Sequence, residues 1–336
     1  DATIAEEFII SDSGAYIQKT SVAMLGEFEW TSIAIFGLLG ALLMLVIRDA
    51  MYMYRIRHLT NKQLSWRSAF DVILLWEFAS ALTPSVVGGS GIAIFIMNRE
   101  GISLGKGTAT VMVTALMDEL FYILSVPIFF LIVGSAYLFP NSEVFQIFGI
   151  NSIKGVFVIA YLFFVALTIT MILALFIFPQ GAKKLMMTLF SIRVLKRWQP
   201  GVIKWGDDLI ISSKEIRGES VSYWLKGFGA TVLSWSARFL TLNFILIALI
   251  GSFDHFQVFG RQLVMWVIML ISPTPGSSGV AELAFNEFFA YLMPAAFLAI
   301  AAITWRLLTY MPYLIAGIVV LPGWMRRTSN ANRTSA

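Results

Sequence analysis

Seven ionisable side chains fall inside sequence that is otherwise apolar enough for a membrane: Glu77, Asp118, Glu119, Arg238, Glu282, Glu287 and Arg306. Charge at membrane depth is costly, so such groups face a cavity or one another. The chemistry open to them is ion pairing, the holding of a charged headgroup, or the binding of a coupling proton. Paired carboxylates also serve general acid–base catalysis, but Asp118 and Glu119 are adjacent and project about 100° apart on a helix. They make poor material for a dyad. The chain has no cysteine, and its two histidines, His58 and His255, lie far apart in basic or polar flanks. Thiolate, Ser-His and metal-ligand constellations therefore find no support. No catalytic residue, metal, cofactor or nucleic-acid partner is expected.

Two backbone breaks accompany these charges. The run Ile271-Ser-Pro-Thr-Pro-Gly-Ser-Ser-Gly-Val-Ala-Glu-Leu283 interrupts one apolar stretch, Leu263 to Tyr291, and Thr83-Pro84 with Gly88-Gly89 interrupts another, Ser68 to Met97. Backbone freed at such breaks cannot face lipid, where nothing would satisfy its hydrogen bonds, so it must line a protein-enclosed cavity. A half-helix is expected to restart near Gly91 and again near Gly279, with unpaired N–H groups suited to a phosphate or carboxylate. Glu77 precedes the first break by about two turns and Glu282 follows the second by about one. The candidate binding set is thus Glu77, Thr83, Pro84, Gly88, Gly89, Gly91, Asp118, Arg238, Thr274, Pro275, Gly276, Gly279, Glu282 and Arg306. The competing reading has Arg238 and Arg306 merely neutralise acidic neighbours and hold the bundle together.

The elements that must position these residues are membrane helices. Of 336 residues, 58% are hydrophobic and 13% charged, about half the charge of a soluble protein. The expected fold is all-α, a polytopic membrane helical bundle. Crossings are expected at Thr31 to Ile47, Thr108 to Phe139, Gly155 to Phe178, Phe228 to Ile250 and Ala295 to Leu321. Each arm of the two interrupted stretches is too short to cross alone. If both stretches enter and leave on one side as re-entrant hairpins, the cytoplasmic loops hold most of the 24 Lys and Arg: Arg48, Arg55, Arg57, Lys62 and Arg67, then Arg99 and Lys106, the nine between Pro179 and Gly227, and Arg326, Arg327 and Arg333. If the first stretch crossed instead, those nine would lie outside. The hairpins then enter from opposite faces, and their shared Thr-Pro and Gly pattern points to an inverted repeat. Residues 1–30 are expected outside, 31–325 form the transmembrane domain, and 326–336 a disordered cytoplasmic tail. Within the domain, 179–226 is a cytoplasmic loop whose Lys183, Lys184, Leu185, Met186, Leu189 and Phe190 suit a helix lying on anionic headgroups. Ordinary compliance with the positive-inside rule explains the same charges. Trp30, Trp66, Trp198, Trp205 and Trp324 read as interfacial anchors.

Several of these runs are familiar together. Leu82-Thr-Pro-Ser-Val-Val-Gly-Gly-Ser-Gly91, Arg99-Glu-Gly-Ile-Ser-Leu-Gly105, Ser272-Pro-Thr-Pro-Gly-Ser-Ser-Gly-Val-Ala-Glu282 and Arg306-Leu-Leu-Thr-Tyr310 with Gly317 resemble the lysylphosphatidylglycerol synthase transmembrane-region family, also called flippase-like. The resemblance covers roughly residues 31 to 323. It implies a polytopic protein of a kind whose best-known members move aminoacylated phosphatidylglycerol between leaflets, in a bacterial cytoplasmic (inner) membrane, without the soluble domain that makes that lipid. It also implies a further helix before Thr31. Two departures stand out: Thr114-Ala115 replaces a Glu-Arg pair, and Ser277 replaces the second Gly of the usual Pro-Gly-Gly.

The leading reading is therefore a lipid flippase with a midplane site between two hairpins, its partners membrane lipids and the anionic headgroups of the cytoplasmic face. The rivals are an integral-membrane enzyme acting on a lipid headgroup and a non-transporting scaffold subunit. Association with further copies of the chain is left open by the sequence.

Overall fold

The computed structural model describes residues 8–10, 16–18, 26, 28–83, 85–140, 152–191, 199–270, 272 and 274–334. Apart from a short antiparallel pair, β1 (Phe8–Ile10) and β2 (Tyr16–Gln18), the described elements are helices. In chain order they are α1 (Ser32–Leu59), α2 (Trp66–Leu82), α3 (Ser85–Arg99), α4 (Leu104–Val133), α5 (Ser135–Leu138) and α6 (Ile153–Ile172), which runs on into a π-helical turn. Then come α7 (Pro179–Leu189), α8 (Gln199–Arg217), α9 (Val221–Ile250), α10 (His255–Leu270), α11 (Val280–Phe289), α12 (Ala295–Thr309) and α13 (Met311–Thr334). Among the described residues, five helical stretches are long and apolar enough to cross a membrane: Ser32–Leu59, Leu104–Val133, Ile153–Ile177, Val221–Ile250 and Phe297–Ser329.

Local chemistry sets the boundaries. Thr31, Ser65, Ser103, Ser152 and Ser220 each cap a helix, the side-chain oxygen accepting from the backbone N–H three residues on. The last crossing is interrupted at Tyr310, because Pro312 has no N–H to offer the Leu308 carbonyl one turn back. Between helices, close packing rather than water-driven burial does the work inside a membrane. α1 lies along α9, and Gly37 and Gly40 let the two backbones approach so closely that a Cβ at either would collide with Phe244 or Ala248. A second layer of contacts comes from aromatic rings of α4, α9, α10 and α11, among them Phe121, Tyr122, Phe239, Phe285 and Phe288.

The structure departs from the sequence expectations in several places. α1 does not end at Ile47 but continues for twelve residues, so Arg48 and Arg55 are not loop residues; they are 2% and 3% exposed inside the bundle. The helix after the first break starts at Ser85, immediately beyond Pro84, and Gly91 lies in its interior rather than at its N-terminus. Pro84 itself, Ile271 and Pro273 lie outside the described residues. Residues 326–334 are helical, where a disordered tail is expected. Trp324 is buried and donates to Glu100 Oε1 at 2.7 Å, and Trp205 donates to Thr108 Oγ1 at 2.8 Å. Trp30 and Trp66 are exposed, and Trp198 is outside the described residues.

Both breaks fall where the sequence places them. α2 and α3 pack on each other about Thr83-Pro84, and α10 and α11 about residues 271–279. If each pair is a re-entrant hairpin entered from opposite faces, single cysteines placed in this cysteine-free chain at Gln63 and Leu104 are expected to react with an impermeant reagent from one side, and those at Phe256 and Ala290 from the other. Labelling of 63 and 104 from opposite sides would exclude the hairpin.

Candidate functional site

A cavity of about 310 Å³ lies between the two broken pairs and helices α1, α4, α6, α9 and α12. Its charged lining is supplied by Arg55, Glu77, Asp118, Glu119, Arg238 and Arg306. Tyr52, Tyr122, Trp235, Trp266, Tyr310 and Tyr313 add polar aromatic edges, and Phe163, Phe164, Leu167 and Leu270 an apolar side.

The polar floor grows out of α1. Its buried face carries Ala34, Gly37 and Ala41 in one half and Arg48, Tyr52 and Arg55 in the other, at helical spacing, so the face that packs on α9 turns from small to charged along one stripe. Arg55 makes a two-pronged pair with Asp118 on α4, Nη1 to Oδ1 at 2.5 Å and Nη2 to Oδ2 at 3.1 Å, and also donates to Thr231 Oγ1 at 2.8 Å. Trp235 Nε1 donates to the same carboxylate at 2.7 Å. Two turns away, Arg48 pairs with Glu77 on α2 and with Asp49, and donates to the Tyr313 hydroxyl, which in turn donates to Asp49 at 2.9 Å. The Tyr52 ring lies beneath both guanidinium groups, at 4.9 and 4.8 Å. Such geometry is what makes ions tolerable away from water: each is charge-compensated and hydrogen-bonded several times.

Asp118 and Glu119 part company as their helical angle requires. Glu119 is buried and accepts from Thr168 Oγ1 on α6 at 2.6 Å, with no cation within ion-pair distance among the described residues. Arg238 shows the opposite pattern. Its guanidinium lies 4.2 Å from the Trp266 ring centre and 5.2 Å from that of Trp235, and it makes no hydrogen bond or ion pair among the described residues.

The second break is stitched by side chains of α12 and α11. Arg306 donates from Nε to Glu282 Oε1 at 2.7 Å, and from Nη1 and Nη2 to the Gly276 carbonyl at 3.3 Å. Glu282 Oε2 accepts from the Gly279 N–H at 2.6 Å, which places the carboxylate over the start of α11. The Tyr310 hydroxyl donates to the Ala81 carbonyl at 3.2 Å, in the last turn of α2, while its ring packs on Gly276. The tips of the two broken pairs thus meet on Tyr310. Gly276, Ser277 and Gly279 all have positive φ, at 55°, 53° and 83°. Ser277 holds this left-handed conformation with its hydroxyl donating to the Met269 carbonyl at 3.1 Å.

Of the candidates drawn from sequence, Glu77, Thr83, Asp118, Arg238, Thr274, Gly276 and Arg306 line the cavity together. Gly89, Gly91, Pro275, Gly279 and Glu282 do not, while Pro84 and the surroundings of Gly88 lie outside what is described. The N-terminus of α11 is already taken by Glu282, so it is not an open anion site. Sequence reasoning missed Arg48, Arg55, Tyr52, Trp235, Trp266 and Tyr313. The i, i+4, i+7 spacing of Arg48, Tyr52 and Arg55, continuous with the apolar stripe before it, was the signal available.

The profile of the family described as "Lysylphosphatidylglycerol synthase TM region" matches residues 18–317 of the chain. A "UPF0104 membrane protein" of Archaeoglobus fulgidus is 23% identical over 264 residues, 76% of each chain. No solved structure matches significantly.

Two outcomes follow from this geometry. Arg55→Gln leaves the partly buried Asp118 carboxylate without its cation and is expected to destabilise the protein by about 2–3 kcal/mol, below the loss for a fully buried pair. Arg55→Met with Asp118→Leu, which removes both charges, is expected to recover most of that loss in thermal unfolding of the detergent-solubilised protein. Gly276→Ala forces a Cβ into the left-handed region and against Tyr310, and is expected to cost about 1–2 kcal/mol by the same measurement.

Proposed function

The chain belongs to the lysylphosphatidylglycerol synthase transmembrane-region family, and from that premise we propose that it moves a phospholipid or similar amphiphile between the leaflets of a cytoplasmic membrane. The observation that carries this reading is the composition of the cavity wall. Its floor is charged and hydrogen-bonded, whereas one side is made of apolar residues of α6 and α10, of which Phe163 is 54% exposed on the outside of the bundle. A space of about 310 Å³ is at the lower end of small-ligand sites. It suits a headgroup, with acyl chains left in the bilayer beyond the apolar side.

The breaks at Thr83-Pro84 and residues 271–279 support a route through the protein, since broken helices at mid-depth are the elements that open to either side in transporters. The inverted repeat and opposite entry of the two pairs belong to this proposal, as does the cytoplasmic placement of the basic segment 179–226. In that segment α7 buries no residue and exposes Leu185 and Leu189 beside Lys183 and Lys184, as a helix resting on anionic headgroups would. Glu77 and Asp118 are held by Arg48 and Arg55, which suits them to shaping the cavity's field rather than to proton transfer. Arg306 and Glu282 act in this scheme by holding the second break in its cavity-lining shape.

The test separates moving a lipid from changing it. Purified protein in liposomes is expected to alter the leaflet distribution of a labelled phospholipid while its mass stays constant, and Arg306→Gln is expected to slow that redistribution. A chemically modified lipid, formed without any change in leaflet distribution and lost in Glu119→Gln, would establish an enzyme instead.

A further inference from the structure

The cavity contains a cation held in a particular way. Arg238 is stacked against the faces of Trp235 and Trp266, whose own rings lie 5.6 Å apart at 66°. Stacking fixes the guanidinium plane without using any of its N–H groups. The other arginines of the cavity spend theirs: Arg55 on Asp118 and Thr231, Arg306 on Glu282 and Gly276. Asp49 acts on Arg238 only through space and is already bound by Arg48 and Tyr313.

A second, independent observation concerns the polar atoms of the same wall. Tyr122 and Thr114 are 2% and 3% exposed, and their hydroxyls have no hydrogen-bond partner among the described residues. Nor, among those residues, has the indole N–H of Trp266, whereas that of Trp235 is spent on Asp118. Buried donors are costly to leave unmade. The Trp266 nitrogen and the Arg238 guanidinium can only donate, and the two hydroxyls can do so by rotation. Their shared complement is a group that only accepts.

We propose that Arg238, Trp266, Tyr122 and Thr114 form an oxyanion subsite, and that its ligand is the phosphodiester of the lipid headgroup. A phosphodiester offers two free oxygens at the spacing a guanidinium fork reads. The inference rests on the reading that the cavity takes a lipid headgroup, and it adds which headgroup atoms are held and by what. It makes the phosphate, common to zwitterionic and anionic phospholipids, the anchor. The substituent beyond it is left to the rest of the cavity, where Glu119 is the carboxylate without a cation.

Binding to protein in a neutral maltoside detergent tests this, read by native mass spectrometry and by the shift in thermal midpoint. The probes are short-chain phosphatidylglycerol, phosphatidylcholine, diacylglycerol and inorganic phosphate. Both phospholipids are expected to bind and diacylglycerol not to. Arg238→Gln is expected to weaken phospholipid binding roughly 10-fold, and Arg238→Lys, which keeps the charge but loses the fork and the stacking, to weaken it as well. Tyr122→Phe removes an unpartnered hydroxyl, so the lipid-free protein should be as stable as before or more so, while phospholipid binding falls severalfold. That variant keeps the test decisive if Arg238→Gln fails to fold. Unchanged phospholipid binding in Tyr122→Phe and Arg238→Lys, or diacylglycerol binding as tight as phosphatidylglycerol, would overturn the subsite. Inorganic phosphate binding with the same Arg238 dependence would assign it to free phosphate and overturn the lipid source. These readouts are of binding alone. A wrong subsite leaves leaflet redistribution intact, and a wrong transport reading leaves Arg238-dependent binding intact.

Discussion

Backbone that leaves a helix inside a membrane must find hydrogen bonds within the protein, and that requirement organises the centre of this molecule. At the second break, Arg306 supplies donors to the Gly276 carbonyl and Glu282 an acceptor to the Gly279 N–H. At the first, the Thr83 N–H and hydroxyl both return to the Ala79 carbonyl and Tyr310 donates to Ala81. The last turn of α12 and its cap, Tyr310, thus serve both breaks. The position of α12 in the bundle is tied to that service, while Pro312 is what ends its helix at Tyr310.

A second constraint is charge. Six of the cavity-lining side chains are ionisable acids or arginines, and four of them are locked into pairs with partners on other helices: Arg55 with Asp118, Glu77 with Arg48, and Arg306 with Glu282. Such pairs add little net stability compared with well-packed apolar residues, yet removing one partner is severe. Their effect is to fix which helices meet and in which rotation. α1 cannot turn about its axis without separating Arg48 from Glu77 and Arg55 from Asp118 at once. The α1–α9 contact through Gly37 and Gly40 fixes the same rotation by shape.

How much of this could be read from the chain depends on how local the signal is. Helix breaks are written in Pro and Gly, and apolar length marks the five crossings, so the architecture and the sites of both breaks were legible. Arg48 and Arg55 were misassigned to a loop because a topology rule counts arginines by their place along the chain, whereas what buries them is a carboxylate on a different helix. Glycine misled in the other direction. Gly88, Gly89 and Gly91 look like a continued break, yet α3 runs straight through them from Ser85, and a Cβ at Gly89 would strike Ser80. That glycine serves close packing of α3 on α2 rather than a bend. Arg238, Trp235 and Trp266 could not be joined from sequence, since their stacking depends on where α9 and α10 cross.

Tyr310 gives the two broken pairs a single pivot. Its hydroxyl holds the tip of one and its ring bears on the tip of the other, so a tilt of α12 acts as a lever on both at once. The joint between α12 and α13 is in this sense a shared hinge pin: a change that shifts the Tyr310 side chain is felt at the last turn of α2 and at Gly276 alike.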